Sequence, residues 1–180
     1  MRAFVISLAL ILLGAVAVAQ QPAAQPAVPE IKTYTSSADV AALIVKAKNE
    51  RKADQGIFSQ RLLSLAPYAV NLEYRGIIAP AAVHEREAEI FYIVEGTATM
   101  VTGGKVANET RTNPTNLSGT AIEGGTSQTV SKGDFIIVPE NTPHWFSVIN
   151  GNGVLVDMSI HVPRPVPSFA ELEKLVAAAH

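Results

Sequence analysis

The chain has 180 residues, a formal net charge of -2 and no cysteine. Without a thiol there is no disulfide, no thiolate metal ligand and no cysteine-linked lipid. Without a basic excess, nucleic acid is excluded as a partner. The length suits one domain that can bury a core without covalent staples.

The first segment does not belong to a fold. Met1-Arg2, the apolar run from Phe4 to Val18 and the sequence Ala17-Val18-Ala19 have the layout of a cleavable secretory signal over residues 1–19. About 15 apolar residues fall short of the roughly 20 that a bilayer-spanning helix needs, which argues against a permanent membrane anchor. Losing Arg2 takes the net charge from -2 to -3. The expected product is soluble and secreted or periplasmic.

Residues 20–35, opening with "QQPAAQPAVP", have nothing to bury and read as a flexible Pro/Ala-rich linker, leaving 36–180 as the single domain. Ser36 followed by Asp39 matches a capping box, and Val40, Leu43, Ile44 and Ala47 then share one face of a short helix ending near Lys52. From Ile57 the period changes. The runs "IFSQRLLSL", "YAVNLEYRGII", "EIFYIVEGTATMV", "DFIIVP", "HWFSVIN" and "VLVDMSIHV" are rich in β-branched and aromatic residues and are separated by Gly, Pro and Asn turns. Six or more strands with no helices between them predict a mainly β sandwich or barrel, with a core over about residues 57–162. Residues 102–127, dominated by Gly, Thr and Asn, read as a long surface loop. Asn108-Glu109-Thr110 and Asn116-Leu117-Ser118 match the glycosylation pattern, which has meaning only in a eukaryotic secretory route. After Pro163, Pro165 and Pro167, Ser168 and Glu171 form a second capping box, and Leu172, Leu175 and Val176 make the face of a terminal helix. Short helices therefore flank the β body.

Chemistry concentrates in "AAVHEREAEIFYIVEG", residues 81–96. Metal ligands about 2.0–2.2 Å from one ion lie roughly 3 Å apart, so Glu95, at the far end of an extended strand, is no partner for His84. His84 and Glu89 are five apart and would point to opposite faces of a straight strand. The "EREA" segment must turn the chain before Glu89 can rejoin His84, and Glu85, Arg86 and Glu87 are assigned to that exposed turn. Spacing alone does not choose Glu89 over Glu87.

The spacings resemble those of the cupins. Their first motif, G-x5-H-x-H-x3,4-E-x6-G, is matched by Gly76, His84, Glu89 and Gly96, with Ala82 in place of the first histidine. The second motif, G-x5-P-x-G-x2-H-x3-N, is matched by Gly133, Pro139 and His144, with Asn141 for the second glycine and Val148 for the final asparagine. Asn tolerates a left-handed turn nearly as well as Gly, so Asn141 is a mild change. The resemblance covers roughly Leu62 to Val162. It implies an antiparallel double-sheet jelly-roll barrel with a divalent metal (Fe, Mn or Zn) held inside by His84, Glu89 and His144. Two imidazoles and a carboxylate suit such an ion and leave positions open for water or substrate.

By alternation from Glu89 and His144, residues Phe91, Ile93, Phe146 and Val148 should line the interior and make it apolar. Tyr74, Arg75 and His161 are within reach of the cavity, but for each a packing or surface role is the expectation. Ile90, Tyr92 and Val94, on the other face, need a cover from a terminal helix or a second subunit, and the resemblance implies a homodimer. The functional expectation is a metal-dependent enzyme acting on a small molecule, by oxygenase, isomerase or lyase chemistry. The alternative is a noncatalytic, metal-free binding barrel, which Ala82 and Val148 favour.

Overall fold

The computed structural model describes residues 31–164; the expected signal segment and the expected terminal helix lie outside them. The first helix, α1 (Ser37–Glu50), begins where the capping box requires. The Ser36 side chain accepts from the Asp39 amide at 3.1 Å, and Asp39 Oδ2 accepts from the Ser36 amide at 3.0 Å. Two otherwise unpaired backbone donors are satisfied by that exchange. Within the segment expected to be a linker, Lys32 exchanges backbone hydrogen bonds with Ser64 at 2.8 Å each.

Thirteen strands follow among the described residues: β1 (Ile57–Leu65), β2 (Tyr68–Arg75), β3 (Ala81–His84), β4 (Glu87–Glu95), β5 (Thr97–Thr102), β6 (Lys105–Ala107), β7 (Thr110–Asn113), β8 (Asn116–Gly119), β9 (Ala121–Glu123), β10 (Thr126–Ser131), β11 (Phe135–Val138), β12 (His144–Ile149) and β13 (Leu155–Pro163). One sheet has the order β1-β2-β13-β4-β11 and the other β10-β5-β12-β3-β8-β7, with β6 and β9 forming a separate ribbon. All pairings are antiparallel and no strand is shared between sheets, so the jelly roll is an open barrel. The segment 102–127 is not a structureless loop. Its β8 pairs with β3 from Ala81↔Gly119 to His84↔Asn116 and so extends the second sheet beside the site. Backbone pairing to β3 satisfies polar groups that a bare loop would leave to solvent.

Two apolar layers hold this arrangement. Between the sheets, Phe91, Ile93, Ala98, Met100, Val130, Val138, Phe146 and Leu155 form the inner core. Outside the first sheet, Ala47 of α1, with Val40, Leu43 and Ile44, covers Leu62, Leu72, Tyr74 and Val156. Fully burying an aliphatic side chain such as Leu72 contributes about 2 kcal/mol. The helix thus supplies part of the cover that the strand after Glu89 requires. Farther along the same face, Ile90 and Tyr92 lie beside Ile137 and Phe135, and these last two are 66% and 72% exposed.

Val148 departs from the expected alternation. A register shift between Phe146 and Val148 turns Phe146 inward and leaves Val148 exposed. A bulge inserts one residue, which reverses the facing of every side chain beyond it.

Candidate metal centre

Four strands bring their side chains to one end of the space between the sheets. On β4 the period of two lines Glu87, Glu89, Phe91 and Ile93 along the inner face. On β13, the register sets His161 opposite Glu89, Ser159 opposite Phe91 and Asp157 opposite Ile93. From the second sheet, His84 ends β3 and His144 begins β12, where it pairs with Ala82. The two motifs are tied together by the Asn141 amide, which donates to the His84 carbonyl at 2.7 Å. Asn141 adopts the left-handed conformation, φ 55°, in place of the motif glycine.

Glu89 is the centre of the cluster and is 5% exposed. Its Oε2 lies 3.0 Å from His144 Nε2 and 3.2 Å from His84 Nε2, and its Oε1 lies 3.5 Å from His161 Nε2. The ligand atoms of His84, Glu89 and His161 all lie within 4.8 Å of one another. Small side-chain movements from spacings of this size would bring all three donors onto a single ion. Ser159 donates its hydroxyl proton to Glu89 Oε1 at 2.5 Å, fixing the carboxylate from behind.

The imidazole tautomers follow from their second partners. A carbonyl can only accept, so His144 Nδ1 carries a proton and donates it to Thr142 O at 3.1 Å. Its Nε2 is left as a lone pair facing a carboxylate at 3.0 Å. Two acceptors at that distance repel unless a proton or a metal cation lies between them. His161 Nδ1 likewise donates to Glu87 Oε1 at 2.9 Å and turns its Nε2 toward the cluster. Such outer carboxylate and carbonyl partners orient imidazoles for metal binding. His84, Glu89 and His161 therefore fit a divalent ion of the Fe, Mn or Zn type, while His144 lies outside that group of three and faces the same carboxylate through its Oε2.

Electrostatics agree with that arrangement. Burial would raise the Glu89 carboxyl, but with a proton on the Nε2 atoms of His144 and His84 in place of an ion, the hydrogen bonds these rings donate outweigh it and hold the group well below the usual carboxylate range. Burial would lower the His84 imidazole, yet its hydrogen bond to Glu89 raises it above the ordinary histidine value. The cluster as a whole is built to hold positive charge against Glu89.

Two expectations change here. Glu87 is not part of the exposed turn, which is Glu85-Arg86; it is the first residue of β4 and the outer partner of His161, and it lies 3.6 Å from His84 Nδ1. Glu85 does face solvent, paired with Arg111 at 2.8 and 2.9 Å. His161 is not a surface or packing residue but supplies a third imidazole from the opposite sheet. Ala82, which replaces the first motif histidine, lines the same cavity directly across from His144. The missing ring is made up from another strand. The signal was present in the sequence: Asp157, Ser159 and His161 alternate along β13 and all face inward. Of the other two residues considered, Arg75 lines the cavity, whereas Tyr74 packs in the layer beneath α1.

The cavity has a volume of about 200 Å³ and is walled by Phe91, Phe146, Ile57 and Ile149, with the histidine cluster at one end and Arg75 at the other. A family model described as Cupin matches residues 46–177. The chain belongs to the cupin family. A search of the curated proteins found no match. Similar solved structures include a putative mannose-6-phosphate isomerase from Ralstonia eutropha, 14% identical, covering 64% of this chain and 92% of that one with a TM-score of 0.46. The iron(II) form of HppE is 16% identical over 63% of this cupin and 53% of that chain, with a TM-score of 0.46. A cupin 2 conserved barrel domain protein from Salinispora arenicola is 16% identical over 74% and 92%, with a TM-score of 0.42. At these identities the likenesses concern the fold alone.

Proposed function

We propose that this cupin is an exported metal-dependent enzyme that acts on a small molecule by oxygenase, isomerase or lyase chemistry. The observation that supports the reading best is the convergence of three imidazole Nε2 atoms on the buried Glu89 carboxylate, 3.0 to 3.5 Å away. His84, Glu89 and His144 would hold the ion, with His161 as the ligand that makes up for Ala82. When bound, Fe, Mn or Zn supplies a Lewis acid with positions open to substrate. The chain's own residues do the rest. Ser159, Thr142 and Glu87 fix the donor atoms, and Phe91 and Phe146 exclude water from the substrate space. Export rests on residues 1–19. Among the described residues no helix is long and apolar enough to cross a membrane. Pairing of two copies through the strip Ile90, Tyr92, Phe135 and Ile137 completes the proposal, and sedimentation at micromolar concentration should give a dimer.

The test is elemental analysis of the mature chain purified without chelator or histidine tag. Near-stoichiometric metal that is lost in both His84→Ala and His144→Ala supports the enzyme. One observation favours a second reading, a metal-free binding barrel: a proton shared between His144 Nε2 and Glu89 would relieve the same acceptor clash. A parent chain free of metal would select it.

A further inference from the structure

The far end of the cavity holds a second polar group that the metal proposal leaves unused. Glu73 and Arg75 point inward from β2, and Asp157 reaches them from β13, where it lies directly across from Glu73. Arg75 Nε donates to Asp157 Oδ1 at 2.8 Å, and its Nη2 donates to Glu73. The three side chains are only 10%, 12% and 0% exposed. The guanidinium carbon of Arg75 sits 4.8 Å from the centroid of the Phe146 ring and 5.9 Å from that of Phe91, within cation–π range of both. Among the described residues Nη1 has no hydrogen-bond partner, and Arg75 lines the cavity. One edge of the guanidinium therefore offers N–H donors to the cavity space.

The histidine cluster is a single aromatic ring away. The Phe91 ring that faces Arg75 also faces His144, with ring centroids 5.9 Å apart. A ligand lying along Phe91 would reach both ends. At roughly 30 Å³ per water, the cavity of about 200 Å³ has room for six or seven waters, or one small ring with its substituents.

Charge decides which group Arg75 accepts. Glu73 alone balances the one guanidinium, and Asp157 adds a second negative charge when it is ionised, so an anion placed on Nη1 would meet no uncompensated positive charge. A neutral carbonyl or hydroxyl oxygen meets the donors without that repulsion. We propose that Arg75 is a specificity-determining residue that donates from Nη1 to a neutral oxygen of the ligand, and that Glu73 and Asp157 exclude ligands with an anionic group at that end. Resting on the reading of the histidine cluster as the site for the ligand's other oxygen, this deepens the substrate class to a small, uncharged molecule with an apolar ring and two oxygens.

The test uses the mature full-length chain and two probes of the same shape, 4-hydroxyacetophenone and 4-hydroxybenzoate, titrated by calorimetry with the protein as purified and after metal removal. The ketone should bind about tenfold or more tightly than the carboxylate, the size of one screened like-charge contact. Glu73→Gln keeps a hydrogen-bond acceptor for Nη2 while removing one charge, and should raise the affinity for 4-hydroxybenzoate about tenfold. A gain of binding cannot come from a misfolded variant. Equal or tighter binding of the carboxylate, binding of neither probe, or an unchanged ratio in Glu73→Gln overturns the proposal. Failure of the metal reading looks different: the ketone preference would persist in a chain that holds no metal.

Discussion

The two faces of β13 make opposite uses of the same alternation. Its outward side chains, Val156 and Met158, are apolar and pack beneath α1, whereas its inward ones, Asp157, Ser159 and His161, are polar and lie between the sheets. β2 repeats the contrast, with Leu72 and Tyr74 outward and Glu73 and Arg75 inward. A sheet whose outer face is covered by a helix can reserve its inner face for a site, because hydrophobic burial is secured elsewhere. Polar groups then survive inside only as partners of one another: Ser159 with Glu89, His161 with Glu87, Arg75 with Asp157.

Substitutions on the two faces should therefore separate stability from ligand chemistry. The largest effect is expected on the outer face. Leu72→Ala removes a fully buried side chain from the layer under α1 and should cost about 2–5 kcal/mol in urea unfolding, while the metal content of the folded fraction stays unchanged. On the inner face, His161→Ala should lower metal affinity about tenfold or more in competition with a chelator and shift the melting temperature of the stripped protein little. If the two substitutions gave the same pattern, the division of labour between the faces would be wrong.

The smallest effect is a pH dependence. Burial pushes the Asp157 carboxyl up to about 7, partly offset by Arg75. The folded state thus binds this proton more tightly than the unfolded state, so stability falls as pH rises from about 4 through about 7. Denaturant midpoints of the metal-stripped chain should decline over that interval, and Asp157→Asn should flatten the decline whatever its absolute stability. A slope that survives the substitution would assign the proton elsewhere.

How much of this could be read beforehand followed the range of the interactions. The capping box at Ser36 and Asp39 is local, and so were the long strands with regular alternation. His84, Glu89 and His144 were legible because fixed motif spacings stand for a turn and two strand starts. His161 and Glu87 were not, since their meeting depends on the register of β13 against β4, set by pairing between residues 74 positions apart. The alternation of Asp157, Ser159 and His161 was visible, but polar residues on alternate positions ordinarily face water, and only the cover provided by α1 reverses that rule. The strands of three or four residues in 102–127 are too short, and too rich in Thr and Asn, for periodicity to reveal them. Val148 was misplaced by a bulge that leaves no mark in its own sequence.

The convergence on Glu89 is tested most directly by anomalous diffraction at a metal absorption edge from crystals of the chain grown with Mn(II) or Zn(II). The account predicts one strong peak at about 2.0–2.2 Å from Nε2 of His84, His144 and His161 and from a carboxylate oxygen of Glu89. No peak among those four side chains, with the metal absent or held elsewhere on the molecule, would contradict it.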